Sequence, residues 1–406
     1  MTEATHQRAF DLVLFGATGF TGRLVAEYLA ERCREGLSLR WAMAGRDRAK
    51  LQAVQSSINT DVPILVGDAM DEGSMRLLAE QTRLVLTTVG PYAKYGSALV
   101  AACAAQGTDY CDLTGEVHWM RAMIDAHHET ARRTGARIVH TCGYDSIPSD
   151  LGTLALFDHV ERTHGKKLER ITHYAGESRG GISGGTIASM LALMEISSRD
   201  RSLRKLLANP YALNPEPLPE GPDGPDPMGV RYDDGLGMWT GPFVMAAVNS
   251  RVVRRSNALL DFRYGKQFRY TELSSTGRGT TGLARASALT AGLGSFMVLL
   301  QNTRARSLLA KRVLPKPGEG PSRATIEQGF FTSRFVGHGD GITAKLTIRG
   351  KRDPGYGATA RMISESALCL LQDDLPKQGG VLTPASAMGM ALVPRLEKAG
   401  IRFEYE

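Results

Sequence analysis

The chain has 406 residues with 49 Lys and Arg against 42 Asp and Glu, a net charge of +7 and an apolar fraction of 42%. This length exceeds one ordinary hydrophobic core, so two or three domains are predicted, and the composition excludes a disordered chain. The first eight residues hold no apolar signal segment, and the five cysteines form no C-x-x-C pair. We therefore expect a cytoplasmic protein with reduced thiols.

The pattern of charges and histidines excludes further classes of site. The positive excess is spread through the chain and no DNA-binding motif accompanies it, so no nucleic-acid partner is expected. The nine histidines show no metal-ligand spacing, and no metal is expected. No nucleophile motif of the G-x-S-x-G kind occurs, so a redox cofactor that carries the reaction is the simpler hypothesis.

The first predicted strand, Phe10–Phe15, runs into a turn with three glycines at G-x-x-G-x-x-G spacing. A strand, such a turn and a helix together point backbone N–H groups and a helix N-terminus at one spot, which suits a pyrophosphate. The candidate cofactor-binding residues of this turn are Gly16, Thr18, Gly19, Phe20, Thr21 and Gly22.

Apolar strands and amphipathic helices alternate through the first 150 residues. The further strands are predicted at Arg40–Ala44, Pro63–Val66, Leu84–Thr88, Tyr110–Asp112 and Arg137–His140. This alternation predicts an α/β domain with a doubly wound parallel sheet of the Rossmann type. In such a sheet the ligand lies beyond the carboxyl ends of the strands, so the loops at those ends contain the candidate site.

The second and third strand ends suggest which dinucleotide binds. Arg46 stands where an NAD site places a carboxylate, and its guanidinium could hold the 2′-phosphate of NADP; the alternative is a plain surface charge. Asp47 is the better candidate for a helix N-cap. Asp68, after the third strand, is interpreted either as a ligand of the adenine amino group or as a helix cap.

The later strand ends supply candidate catalytic residues. After the fourth strand, Val89, Gly90, Pro91 and Tyr92 are predicted to approach the nicotinamide side of the cofactor. Tyr92, Lys94 and Tyr144 are the candidate catalytic residues, with plain packing as the alternative for the tyrosines. Ser149 and Asp150 are interpreted as an N-cap of the helix through Leu154 or as site residues.

Beyond residue 153 the regular alternation stops, and a mixed sheet with helices is predicted. Strands are expected at Arg170–Ala175, Gln267–Leu273, Phe330–Val336, Ile342–Ile348 and Ile401–Tyr405, the third and fourth forming a hairpin. Helices are expected at Gly185–Glu195, Ala286–Leu300, Ala358–Leu371 and Pro384–Lys398.

The segment Ala286–Leu300 is uncharged over 15 residues. That length falls short of the roughly 20 residues that span a bilayer. The segment is therefore predicted to be a buried or partner-facing helix, with peripheral membrane contact as the alternative.

Several motifs resemble those of the saccharopine dehydrogenase-like oxidoreductases. They are Gly16–Gly22, Ala44–Arg46, Val89–Tyr92, Asp112–Glu116, Gly143–Asp150 and Gly379–Gly389, in that order. The stretches Val253–Ser256 and Pro315–Pro321 resemble a narrower set, the trans-acting enoyl reductases that work beside lipid-making polyketide synthases. This resemblance implies a dinucleotide-binding domain at 1–152, an inserted α+β substrate domain at 153–356, and a tail at 357–406 that packs back on the first domain.

The resemblance implies NADPH-dependent reduction of a carbon–carbon double bond in an acyl thioester held by a polyketide synthase carrier domain. Two alternatives remain open. An imine or carbonyl reductase would need an arginine that binds a carboxylate, for which Arg179 and Arg254 are the candidates. A non-catalytic NADP-binding scaffold would need none. The acyl chain and the oligomeric state are left open by the sequence.

Overall fold

The structure is a computed structural model that describes residues 8–180, 184, 189, 191, 193, 195–196, 200–217, 221–301 and 320–406. The strands are β1 Phe10–Phe15, β2 Trp41–Gly45, β3 Ile64–Val66, β4 Thr82–Thr87, β5 Asp109–Cys111, β6 Arg137–Val139, β7 Arg170–Arg179, β8 Arg231–Asp233, β9 Met238–Pro242, β10 Arg269–Gly277, β11 Phe330–Gly339, β12 Ile342–Lys351, β13 Gly380–Leu382 and β14 Ile401–Tyr405.

The α-helices run between these strands and after them. They are α1 Phe20–Arg34, α2 Arg48–Ser57, α3 Glu72–Glu80, α4 Tyr92–Tyr95, α5 Ser97–Gln106, α6 Val117–Thr134, α7 Ile147–His164, α8 Arg201–Ala208, α9 Ala246–Leu259, α10 Gly279–Gln301, α11 Arg323–Glu327, α12 Thr359–Gln372, α13 Pro384–Met388 and α14 Leu392–Lys398.

Sheet A contains seven parallel strands in the order β3-β2-β1-β4-β5-β6-β13. Its interior strand β1 is apolar on both faces: Leu12 and Leu14 enter one core cluster, and Val13 and Phe15 enter the other. Burial on both faces is why these strands have near-continuous apolar sequences. The predicted doubly wound parallel sheet is confirmed.

Sheet B contains seven strands in the order β14-β12-β11-β7-β10-β9-β8. The pair β7 and β10 is parallel, and the other neighbours are antiparallel. The sheet is therefore mixed, as predicted. The predicted hairpin forms with longer strands than expected, because Gly337 and Gly339 pair within the ladder and only Asp340 and Gly341 make the turn.

Helices α7 and α12 connect the two sheets through one hydrophobic cluster. Leu154 of α7 and Leu370 of α12 belong to the same cluster as Leu12 of β1 and Phe335 of β11. A Cβ on Gly152 would lie 2.5 Å from Cζ of Phe335, so α7 packs closely on sheet B. The two sheets therefore share one hydrophobic core.

The last fifty residues contribute to both sheets. Strand β13 pairs with β6 in sheet A, whereas β14 pairs with β12 in sheet B. The helix predicted at Pro384–Lys398 is two helices, because Gly389 adopts a φ of +53° between them. The helix predicted at Gly185–Glu195 and the motif Pro315–Pro321 lie largely outside the described residues. The domain boundaries at 152 and 356 stay a prediction.

Within the described residues, one helix is long and apolar enough to cross a membrane by length and composition. It covers Gly279–Leu299, and only 11% of its most apolar window is buried. This helix includes most of the predicted segment Ala286–Leu300. It is therefore not the buried helix that was the first expectation for this segment.

Candidate cofactor and active site

The turn after β1 is built around two glycines that no larger residue could replace without displacement. Gly16 has a φ of +97°, and a Cβ there would lie 2.7 Å from Cγ2 of Val89. A Cβ on Gly22 would lie 2.1 Å from the carbonyl oxygen of Gly16. Helix α1 begins at Phe20, and its N-cap Gly19 offers no side chain to the N–H groups of the first turn. The turn is thus a backbone cradle that fits the pyrophosphate of a dinucleotide.

The remaining predicted residues of this turn, Thr18, Phe20 and Thr21, are half-buried. The Phe20 ring packs edge-on against Tyr356, with ring centroids 4.9 Å apart. Tyr356 follows strand β12 of sheet B, so this contact holds the segment after β12 against the glycine turn. Contact of Thr18, Phe20 and Thr21 with a cofactor stays a prediction.

The end of β2 leaves Arg46 exposed beside the glycine turn. Asp47 is the N-cap of α2 and accepts a hydrogen bond of 3.1 Å from the backbone N–H of Lys50, which confirms its predicted capping role. A cap fixes the backbone while leaving the preceding side chain in solvent. Arg46 is placed where it could meet a 2′-phosphate, and that role stays a prediction.

Asp68 does not cap a helix, so that alternative is wrong. Its carboxylate accepts from the backbone N–H of Met70 at 3.0 Å, within the loop after β3. The cap of α3 is Asp71, which accepts from the N–H groups of Gly73 and Ser74. Asp68 is exposed at the carboxyl edge of sheet A. The predicted adenine contact is compatible with this position and stays a prediction.

The loop after β4 is joined to the glycine turn by two hydrogen bonds. The backbone N–H of Thr88 donates to the carbonyl oxygen of Phe15 at 3.0 Å, and its hydroxyl donates to that of Gly16 at 3.2 Å. Val89, Gly90 and Pro91 follow, with a cis peptide between the last two. Two predicted cofactor segments therefore lie side by side, because β1 and β4 are neighbours in sheet A.

Tyr92 is 6% exposed, and its hydroxyl is hydrogen-bonded on both sides. It donates to the carbonyl oxygen of Thr87 at 3.3 Å and accepts from the N–H of Leu113 at 3.1 Å. Burial raises the pKa of this phenol well above its usual value. The geometry favours a positioning role for Tyr92. Lys94, by contrast, is exposed, with its ammonium 5.0 Å from the centroid of the Tyr95 ring.

A buried carboxylate, the last residue of the motif Asp112–Glu116, holds the start of α4, a role that the sequence analysis did not assign to it. Glu116 accepts hydrogen bonds from the N–H groups of Tyr92 and Ala93, both at 2.8 Å. A carboxylate at this position satisfies N–H groups that the helix leaves without intrahelical partners. Glu116 therefore fixes the loop that carries Gly90 and Pro91.

Asp112 connects the loops after β5 and β6. It is fully buried and accepts from the N–H groups of Thr114 and Thr141, at 3.0 and 3.1 Å. The Tyr110 hydroxyl at 2.9 Å and Nδ1 of His140 at 2.8 Å complete its partners. The polar loop after β5 is thus structural in large part, since its carboxylate organises two strand ends.

Tyr144 is the predicted catalytic residue that lies closest to both sheets. It is half-buried after β6, and its ring meets that of Phe331 at a centroid distance of 4.8 Å. Burial, with the negative charges of Asp145 and Glu272, raises the pKa of the phenol, while the Ser333 hydroxyl acts the other way. The raised pKa keeps the phenol protonated at physiological pH but makes it a weaker acid, so the catalytic role of Tyr144 stays a prediction.

Sheet B presents a buried acid–base pair next to Tyr144 that sequence reasoning missed. Glu272 is 0% exposed, and its carboxylate lies 3.2 Å from Nδ1 of His173 on the neighbouring strand. The Tyr270 hydroxyl and the Asn249 amide donate to Glu272 at 2.7 and 3.0 Å. Burial acts to raise the pKa of Glu272, but His173 and the hydroxyl groups of Tyr270 and Ser149 outweigh it and lower the pKa.

The signal for this pair was present in the sequence. Glu272 follows Tyr270, and His173 follows Ile171, at the spacing of two that places residues on the same face of a strand. Since Ile171 and Tyr270 belong to the shared core, Glu272 and His173 are at core-facing positions. Charged groups at such positions are rare unless they are paired.

Two further expectations near this site are corrected. Ser149 and Asp150 are not an N-cap: the cap of α7 is Ser146, and both residues lie buried inside its first turn. Arg254 does not offer a carboxylate-binding site, because it is buried and donates to Asp223 at 2.7 Å and to the carbonyl oxygens of Pro210 and Tyr270. Arg179 is exposed at the end of β7.

The described part of the chain contains no cluster of three or more His, Cys, Asp or Glu side chains that could hold a metal ion. All five cysteines are free thiols, and burial raises the pKa of Cys103, Cys111 and Cys369. Thiols with raised pKa values are poor nucleophiles. These cysteines are therefore core residues.

Comparison with known proteins supports the same assignment of the first domain. A family model for the saccharopine dehydrogenase NADP-binding domain matches residues 12–139, which include the glycine turn, most of β1 and the strands β2 to β6. Among solved structures, the L-glutamate-forming saccharopine dehydrogenase of Saccharomyces cerevisiae covers 98% of this chain and 100% of its own, with a TM-score of 0.53 and 12% identity. That similarity establishes the shared fold.

Relatives with much higher identity extend over the whole chain. The trans-acting enoyl reductase of Mycobacterium bovis is 40% identical over 97% of this chain and 97% of its own length. A Mycobacterium tuberculosis relative, which carries the same name in provisional form, is 46% identical over 98% of this chain and 97% of its own. The first domain is a nicotinamide-dinucleotide-binding domain, and the chain belongs to the trans-acting enoyl reductases within the saccharopine dehydrogenase-like oxidoreductases.

Proposed function

We propose that this protein is an NADPH-dependent enoyl reductase that acts in trans, reducing the carbon–carbon double bond of an acyl thioester on a separate carrier domain in lipid synthesis. The observation that carries this proposal is the 40–46% identity to enoyl reductases over nearly the full length of the chain. The glycine turn supports it, since its backbone cradle suits the cofactor that such a reduction needs.

We assign NADP rather than NAD because of Arg46. A guanidinium forms strong paired hydrogen bonds with a phosphate, and Arg46 is exposed at the end of β2. Arg46→Ala should weaken NADPH binding by about 2 kcal/mol and leave NADH binding almost unchanged. Fluorescence titration with both cofactors measures this difference. Arg162→Ala, an exposed arginine on α7, is the matched control, and equal losses for both cofactors would contradict the assignment.

The reaction needs a hydride at the β-carbon, stabilisation of negative charge on the thioester oxygen, and a proton at the α-carbon. The nicotinamide supplies the hydride when the cofactor is bound. The backbone N–H groups of the loops after β4 and β5 are candidates to hold the thioester oxygen. Tyr144 gives its phenolic proton to the α-carbon and regains one from solvent, so a double bond, a hydride and a proton become a saturated chain.

The test follows NADPH oxidation with 2-enoyl thioesters on a carrier protein and on a small thiol. Oxidation matched by saturated product in mass spectrometry is the expected result, with the carrier-bound form preferred. Oxidation only with an imine or a carbonyl compound would instead support the alternative reductase. Cofactor binding without turnover on any acceptor would support the non-catalytic scaffold.

We further propose a cytoplasmic location with peripheral contact to a membrane. The product would be a long apolar chain, and one long helix of this protein is both apolar and largely exposed. The same helix does not pass through the core of the described residues. Fractionation of cells that express the full chain measures the distribution between the soluble and membrane fractions.

A further inference from the structure

Helix α10 packs on sheet B along a narrow stripe and leaves most of its apolar surface uncovered. Between Gly279 and Leu299 the buried residues are Gly282 and Ala286, and the helix contacts β9 and β10. Near its C-terminal end Val298 is 66% exposed and Leu299 is 51% exposed. A helix that served only the core would bury these side chains, so this surface is available to another molecule.

The charge of the surrounding sequence indicates what that molecule is. Between Leu273 and Gly318 there is no Asp or Glu, whereas seven basic residues occur. They are Arg278, Arg285, Arg304, Arg306, Lys311, Arg312 and Lys316. The first two are exposed at the start of α10, and the other five fall outside the described residues. An apolar helix surface with cations and no anions is complementary to a negatively charged lipid surface.

The length of the uncharged part and the packing of the helix argue against a span of the bilayer. Its uncharged part after Arg285 covers 16 residues. At the rise of an α-helix this part is about 24 Å long, which is less than the hydrocarbon thickness of about 30 Å. Its buried stripe also remains attached to sheet B. Only the outer face of α10 can therefore enter the interface.

We propose that α10 is a membrane-surface helix that binds bilayers rich in anionic lipid. Val298 and Leu299 enter the boundary between headgroups and acyl chains, while Arg278 and Arg285 face lipid phosphates. The proposal deepens the membrane contact proposed above by naming the helix surface and the lipid charge. Its evidence is the exposure and charge of α10, so it can fail without the enoyl reductase assignment failing.

The test is flotation of the purified full chain with two kinds of vesicle, phosphatidylcholine alone and phosphatidylcholine mixed with phosphatidylglycerol. Binding to the anionic vesicles should be strong at low salt and weak at high salt. Leu299→Glu should reduce that binding about tenfold or more, and Arg285→Gln about fivefold. The matched control is Leu77→Glu, which changes a side chain of similar exposure, 55%, on a helix of sheet A and should leave binding unchanged.

Four results would overturn the proposal. Equal binding to both kinds of vesicle, or to neither, would show that anionic lipid is not the ligand. Equal losses of binding in Leu299→Glu and Leu77→Glu would show that the surface of α10 is not the binding surface. Self-association in sedimentation velocity that Leu299→Glu abolishes assigns the surface to a second copy of the chain. Binding to a soluble carrier domain that the same substitution abolishes assigns it to that domain. Unchanged thermal unfolding and NADPH affinity in Leu299→Glu show that the variant is folded.

Discussion

The glycine turn has no space for a side chain at Gly22. A methyl group on Gly22 would lie 2.1 Å from the carbonyl oxygen of Gly16, and that oxygen is part of the backbone and cannot rotate away. The helix would have to move off the turn, and the N–H groups that face the pyrophosphate would move with it.

Gly22→Ala should therefore weaken NADPH binding at least about tenfold and lower the free energy of unfolding by about 1–3 kcal/mol. Fluorescence titration and denaturant unfolding measure the two effects. Gly292→Ala is the matched control, since Gly292 is also helical but a Cβ there meets nothing within 4 Å. That control should be neutral or slightly stabilising. An unchanged NADPH affinity in Gly22→Ala would show that the turn is not the cofactor site.

Tyr144 and Tyr92 differ in how their hydroxyls are used. Tyr144→Phe keeps the ring contact with Phe331 and removes only the phenolic proton. Turnover should fall by about a hundredfold or more while NADPH affinity stays the same. Tyr92→Phe removes two hydrogen bonds to backbone, so it should cost about 1–3 kcal/mol of stability. Steady-state kinetics with thermal unfolding separates the two effects, and full turnover in Tyr144→Phe excludes it as the proton donor.

At the scale of elements, one buried carboxylate joins three helices. Asp150 lies in the first turn of α7 and accepts from the Ser256 hydroxyl of α9 and from the backbone N–H of Ala385 in α13, the latter at 2.8 Å. Burial raises its pKa to about 7, although both hydrogen bonds act to lower it. The proton on this group is therefore part of the packing of these helices.

The sign of the pH dependence follows from that shift. The folded pKa of Asp150 is raised to about 7 from 3.8, so the native state binds the proton more tightly than the unfolded chain. This contribution to stability is complete below about pH 4 and is lost as pH rises through about 7. The free energy of unfolding of wild type relative to Asp150→Asn should fall by up to about 4 kcal/mol across this window.

Urea unfolding of both proteins between pH 5 and pH 8 measures most of that change. Asp145→Asn is the control, since burial raises the pKa of Asp145 to about 6 and its effect should end at lower pH. Parallel curves for wild type and Asp150→Asn would show that the carboxyl group has an ordinary pKa in the folded protein.

The elements also show what a sequence can and cannot predict. Strand β1 and its glycine turn were predictable, because an apolar run and glycine spacing are local patterns. The three-residue strand β13 was not, since Gly380–Leu382 has no periodicity and pairs only because β6 is an available edge. The pair Glu272 and His173 was not identified either, although both residues lie in predicted strands. Their contact depends on β7 and β10 being neighbours, which only the tertiary fold determines.

At the scale of the whole molecule, the two sheets share one core. The cluster that contains Leu12 of sheet A also contains Phe335 of sheet B and Phe403 of β14. The final twenty-seven residues cross from one sheet to the other, with β13 in sheet A and β14 in sheet B. Separating the sheets would expose this cluster on both sides, so partial unfolding of either sheet alone is costly.

The sheets should therefore unfold in one cooperative transition. The three tryptophans report on the two sheets separately. Trp41 lies on β2 of sheet A and Trp119 on helix α6, whereas Trp239 lies on β9 of sheet B. Two variants, one with Trp41 and Trp119 replaced by Phe and one with Trp239 replaced by Phe, allow each sheet to be followed by fluorescence in urea. Each midpoint should coincide with that from circular dichroism of the same variant.

NADPH adds a second requirement to the same experiment. The glycine turn belongs to sheet A. A cofactor at one hundred times its dissociation constant should therefore raise the free energy of unfolding of sheet A and its helices by about 2.7 kcal/mol. If the shared core couples the sheets, the fluorescence of Trp239 must report the same stabilisation, although Trp239 is in the other sheet. A shift confined to Trp41 and Trp119 would show that the two sheets unfold independently and that the shared cluster does not bind them together.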